Sequence, residues 1–167
     1  MDPKLAQLHT AISSAIDGMT LDDLSRHPEG KWSSAEILEH LNLTYTGTVK
    51  SLERCLASGE TKASPDRNRK RWQRFVVTGL GYLPHGRISP ERARPRGAPA
   101  DHIAGQILQG IVRMDALIED CETRFGKRAA ISDHPVLGPL KAAEWRKFHL
   151  VHGKHHVKQI IRLKQSR

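Results

Sequence analysis

Four stretches of this chain repeat apolar residues at intervals of three and four, and no other period runs through it. Such spacing lines one side of an α-helix with apolar groups and leaves the other to water. Each stretch therefore predicts an amphipathic helix that must bury its stripe against a neighbour. The first stripe is Leu5, Leu8, Ile12, Ala15 and Met19, after which residues 20 to 30 break the pattern. The second begins after Trp32, with Ser33 or Ser34 as N-cap, carries Ile37, Leu41, Tyr45, Val49, Leu52 and Leu56, and stops at Gly59. The third runs through Ile103, Ile107, Ile111, Met114, Ile118 and Cys121, between Asp101 as candidate cap and Gly126. The fourth, about Lys141 to Lys164, carries Trp145, Phe148, His152, His156, Ile160 and Leu163. Nowhere does a period of two persist over β-branched residues, so the expected fold is all-α, a four-helix bundle.

A chain of 167 residues is one ordinary domain, and we expect residues 1–167 to form a single bundle. Hydrophobic residues at 38% and charged residues at 27% suit a soluble globular protein. No uninterrupted apolar run approaches the roughly 20 residues that cross a bilayer. The opening Met1-Asp2-Pro3-Lys4 lacks the basic-then-apolar character of a secretory signal, so a cytoplasmic protein without a membrane partner is expected. Cys55 and Cys121 are the only two cysteines, both in helical surroundings, and are expected as buried free thiols.

Between the second and third helices the composition changes. Residues 66–74, Asp-Arg-Asn-Arg-Lys-Arg-Trp-Gln-Arg, are strongly basic, and residues 83–99 are rich in Pro, Gly and Arg. Such a segment, roughly Glu60 to Ala100, cannot supply a full bundle helix, although Arg71 to Leu80 could form a short one. It predicts a long basic crossover, of the kind that lets the helices on either side run parallel. The formal net charge of +9 supports a rival reading, a non-enzymatic basic module for nucleic acid or another anionic partner. Trp72 and Phe75 beside Arg69, Lys70, Arg71 and Arg74 would then offer stacking next to phosphate contacts. No helix-turn-helix, zinc-finger or RNA-recognition signature accompanies that charge.

The fourth stripe contains the chemistry. His149, His152, His155 and His156 offer three helical pairings, 149 with 152, 152 with 155 and 152 with 156, and His152 belongs to all of them. The inward stripe favours His156 over His155 as the second member. Two inward imidazoles one turn apart are costly to bury without a partner, because each has a ring nitrogen to satisfy, and together they form half of a metal chelate. On the second helix His40 adjoins Ile37, Leu41 and Tyr45 and is the only histidine there. His40, His152 and His156 are therefore the expected metal ligands, leaving coordination positions open as catalytic sites do. His149 and His155 flank them. Of the nearby carboxylates, Glu36 and Glu144 sit at helix starts, so no general base is assignable; Glu39 is a candidate partner behind a ligand, although it lies about 100° from His40 around its helix and does not easily share its target. Gln159, three past His156, is a candidate to orient a ligand.

Trp32-Ser33 followed by Glu39-His40-Leu41, then His134-Pro135, Gly138-Pro139-Leu140, Glu144-Trp145, Phe148, His152, His155-His156 and Gln159-Ile160, resembles the DinB/YfiT-like superfamily of bacterial four-helix proteins. The likeness spans both ends of the chain but not the basic crossover. It implies a divalent metal, commonly zinc or nickel, held here by His40, His152 and His156. It also implies either a thiol-dependent S-transferase acting on a small molecule with a low-molecular-weight thiol, or a metal-dependent hydrolase. Bundles of this kind often pair through helix faces, so a homodimer belongs to the same expectation.

Overall fold

The computed structural model describes residues 1–27, 29–61, 75–79 and 90–166. Helix α1 (Pro3–Ile16) starts where Asp2 accepts the N–H of Lys4 at 2.8 Å and Pro3 pre-sets the first turn. It buries Leu5, Leu8, Ile12 and Ala15. Met19 lies beyond its end and packs on the core from the following turn. There the aperiodic stretch holds a short helix, α2 (Leu21–Ser25), nucleated by a reciprocal cap between Thr20 and Asp23. Five residues are too few to show a period.

Helix α3 (Ser34–Ser58) opens on the same device, Ser33 accepting from the Glu36 N–H while the Glu36 carboxylate accepts from the Ser33 N–H, and closes on left-handed Gly59. Within the crossover, Phe75–Gly79 forms a π-helical turn packed on the last helix, and Glu91–Ala93 forms a 3₁₀ turn packed on α3. The basic residues Arg67, Arg69, Lys70, Arg71 and Arg74, and Trp72 among them, lie outside the described residues, as does half of the short helix expected over 71–80. Helix α4 (Ala100–Phe125) has Pro99 at its N-cap position, with no side-chain hydrogen bond there; Asp101, the expected cap, falls instead in the first turn, where a carboxylate suits the helix dipole.

Two short strands, β1 (Ala130–His134) and β2 (Gly138–Lys141), form an antiparallel hairpin before α5 (Ala142–Gln165). Sequence periodicity missed them, because five and four residues interrupted by Pro135 and Pro139 present no run of alternation. They seat Ile131, Leu137 and Leu140 in the core.

The direction of each long helix follows from its contacts. Along α3 and α4, Asn42 faces Gly110, Leu52 faces Cys121 and Leu56 faces Arg124, so partners advance together and the helices run parallel. Helices α1 and α5 are parallel too, with Asp2 near Arg146, Leu8 against Gly153 and Asp17 near Lys164. Between α3 and α5 the order reverses, His40 meeting His152 and Thr48 meeting His149. The result is an all-α bundle with the topology that a long crossover permits.

Among the described residues no helix is long and apolar enough to cross a membrane. Cys55 and Cys121 are buried free thiols, and burial first, then Cys55, pushes the Cys121 thiol up to about 12.

Gly153 lets α1 and α5 approach closely. A Cβ built there would lie 2.1 Å from Leu8 Cδ1, an overlap that something must relieve. Alanine gains about 1 kcal/mol in helix propensity, whereas overpacking costs about 1–3 kcal/mol. Gly153→Ala should therefore show a net loss on the order of 1 kcal/mol in urea unfolding. Combined with Leu8→Ala it should cost less than the two single changes added, and strict additivity would mean that Leu8 and Gly153 do not meet.

Candidate metal centre

His40 sits in the second turn of α3, buried, with Nδ1 2.7 Å from the carbonyl oxygen of Ala93 in the 3₁₀ turn. A carbonyl only accepts, so Nδ1 carries the proton and Nε2 keeps a lone pair. That Nε2 lies 3.2 Å from Nε2 of His152 on α5. One turn further, His156 places its own Nε2 3.2 Å from the same atom. Gln159 completes the set. Its amide nitrogen lies 3.4 Å from His155 Nε2, which turns Oε1 toward His156 Nδ1 at 2.8 Å, where it accepts the Nδ1 proton. His156 is thus held in the same tautomer as His40.

Three ring nitrogens of His40, His152 and His156 lie within 4.8 Å of one another. Imidazoles sharing one tetrahedral ion at about 2.0–2.1 Å stand roughly 3.3 Å apart, close to the 3.2 Å observed here. Without a cation the arrangement is poorly satisfied. His40 and His156 both present bare lone pairs to His152 Nε2, which can donate to only one of them. The donor set suits a borderline ion such as zinc or nickel. No carboxylate belongs to this group among the described residues.

Aromatic neighbours fix the rings. His152 stacks on Phe148 with ring centroids 5.4 Å apart and planes 10° apart, and Trp32 lies 5.3 Å from His40, centroid to centroid. As whole residues His40 and His156 are buried and His152 is half-buried, while His152 Nδ1 is shielded from solvent. Burial lowers all three imidazoles below their usual range, His156 to about 4, and for His152 the neighbouring His156 and His40 lower it further. Each is therefore neutral at pH 7 and free to bind a cation.

The remaining candidates fall into other roles. His149 is fully buried and gives its Nε2 proton to Thr48 Oγ1 at 3.2 Å, that hydroxyl donating in turn to the Thr44 carbonyl. Burial first, then His134, lowers it to about 3. His155 contacts Gln159 and is outside the three-nitrogen group. At the end of β1, His134 accepts the N–H groups of Val136 and Leu137 on Nδ1 and meets Phe148 with ring planes tilted by 60°. Glu36 and Glu144 serve the caps of their helices. Glu39, adjacent to His40, reaches the opposite side of the strap 93–98 and accepts three of its N–H groups. Glu39 was readable as a candidate partner behind a ligand, but sequence reasoning missed the Ala93 carbonyl and the strap N–H groups that Glu39 holds, since backbone partners leave no signal in residue type or spacing.

The buried neutral histidines make the metal-free fold acid-labile. Unfolded imidazoles take up protons near 6.5, whereas native His156 and His149 do so only near about 4 and about 3. Between those values the unfolded chain binds more protons, so stability is complete above pH 7 and falls as pH drops. The slope should approach about 1.4 kcal/mol per pH unit for each imidazole. Urea midpoints of EDTA-treated protein at pH 7.5, 6 and 5 would reveal it; a flat profile would show these rings already charged in the native state.

A family model described as the DinB superfamily matches residues 4–160. Neither the curated proteins nor the solved structures offer a match. That family match takes in α1 to α5 almost from end to end, including all three histidines, and by it this chain belongs to the DinB superfamily.

Proposed function

We propose that this protein is a divalent-metal-dependent enzyme whose ion is held by Nε2 of His40, His152 and His156. The observation that carries this reading is the convergence of three neutral, buried nitrogens, two of them orientated by acceptors on the far side of the ring. When bound, zinc or nickel would supply Lewis acidity, making a water or a thiol nucleophilic at neutral pH. The chain's own residues do the rest. His40 and His156 hold their protons at Nδ1, and Trp32 and Phe148 keep the rings in place.

A low-molecular-weight thiol as co-substrate of an S-transferase is the favoured chemistry, with metal-dependent hydrolysis next. The thiol chemistry fits a site where, among the described residues, no carboxylate joins the nitrogens to act as general base, since an ionised thiol requires none. A cytoplasmic setting, where such thiols abound, belongs to the same proposal. The basic crossover would then draw an anionic thiol toward the histidines. Binding of nucleic acid through that crossover is supported by the net charge of +9 and by Trp72 and Phe75 among its basic residues, with no recognition signature beside them.

Protein prepared without nickel resin should carry, or take up, one equivalent of zinc or nickel by elemental analysis. His152→Ala should abolish uptake, while His155→Ala leaves it close to wild type. Equal loss in both variants would place the ion on different nitrogens. Loaded protein should then transfer a thiol to an electrophilic aryl halide, and the His152→Ala protein should not.

A further inference from the structure

Glu39 is a buried carboxylate with no cation beside it among the described residues. Its partners are instead three consecutive backbone N–H groups: Arg96 donates to Oε1 at 2.9 Å, and Gly97 and Ala98 donate to Oε2 at 3.0 Å each. Successive amides converge on one anion only when the backbone turns back on itself, and Gly97 supplies the turn with φ of +83°. An added Cβ at Gly97 would meet nothing within 4 Å, so the requirement lies in the backbone angle alone. Three residues before Arg96, the same strap gives its Ala93 carbonyl to His40 Nδ1.

Neighbouring side chains on a helix point about 100° apart, so Glu39 and His40 cannot share a target in the ordinary way. Here the strap wraps the helix, and the two residues grip it at two points. We infer that Glu39 is the positioning residue for His40: by clamping the strap at 96–98 it holds the Ala93 carbonyl where it fixes the tautomer and aim of the His40 ring. Releasing the strap would leave a carboxylate buried without donors, a costly state, so the clamp stays shut while α3 is folded. His40 then keeps Nε2 directed at His152 before any ion arrives. For its effect on ion affinity this inference rests on the metal reading above; for the tautomer it does not.

The test uses full-length protein labelled with ¹⁵N in histidine. Two-bond ¹H–¹⁵N correlation spectra of the metal-free protein should show His40 protonated at Nδ1. Glu39→Gln replaces one acceptor oxygen by an NH₂ group facing the strap amides, and Gly97→Ala strains the turn while leaving Glu39 intact. Both should shift His40 toward a mixture of tautomers and raise amide exchange at 96–98. Glu36→Ala, which weakens the cap of the same helix without touching the strap, should leave the His40 signature unchanged. Zinc affinity by chelator competition should fall about 10-fold or more in Glu39→Gln and Gly97→Ala. Retention of the wild-type His40 tautomer in both strap variants would overturn the inference, as would an equal shift in Glu36→Ala. Wild-type protein that takes up no zinc would overturn the metal reading alone, the tautomer comparison still deciding the role of Glu39.

Discussion

The connection from Gly59 to Ala100 decides how the four long helices can lie. A short loop would have returned α4 antiparallel to α3; the long one lets the chain travel back, so α3 and α4 run side by side in the same direction. Helix α5, entering through the hairpin, then runs against α3 and alongside α1. That reversal brings the beginning of α3, with His40, level with the middle of α5, with His152 and His156. The close approach of α1 at Gly153, immediately after His152, presses α5 into place from behind.

Polar burial in this bundle takes two forms. Arg146 of α5 is buried with Asp2 and Asp115, each at 3.6 Å, and with Glu122, so one guanidinium ties α5 to α4 and to the start of α1. There one guanidinium faces three carboxylates, and the Asp2 N–H donates to Asp115 at 2.7 Å. The three imidazoles differ. Their outward nitrogens are tied for His40 and His156, yet their inward nitrogens face only one another. A fold that buries polar groups normally satisfies them, and the unmet demand here has the sign and shape of a cation.

The strap at 91–98 links these features. It is the end of the connection that sets the topology, it lies on α3, and it supplies the backbone atoms that Glu39 and His40 hold. A rim of backbone thus does what a carboxylate does behind many metal-binding histidines: it fixes the tautomer without adding charge to the site. The site stays net neutral before binding, so an ion would keep its full charge to act on a substrate.

Much of this was legible from residue order. The stripe from Ile37 to Leu56 and the stripe from Ile103 to Cys121 predict α3 and α4, because helical burial repeats along the chain and leaves a period. His152 and His156 were readable as neighbours for the same reason, being one turn apart on one helix. The hairpin at 130–141 and the short helix α2 were not, since elements of four or five residues carry no period and depend on local caps and on the core that covers Ile131 and Leu140. That His40 joins the α5 pair was expected from its place on the α3 stripe, but the 3.2 Å approach of its Nε2 to His152, the turn of His149 to Thr48, and the strap atoms held by Glu39 and His40 were decided only by the tertiary structure. Those contacts join residues 53 to 112 positions apart, through backbone atoms and ring orientations that residue type does not encode.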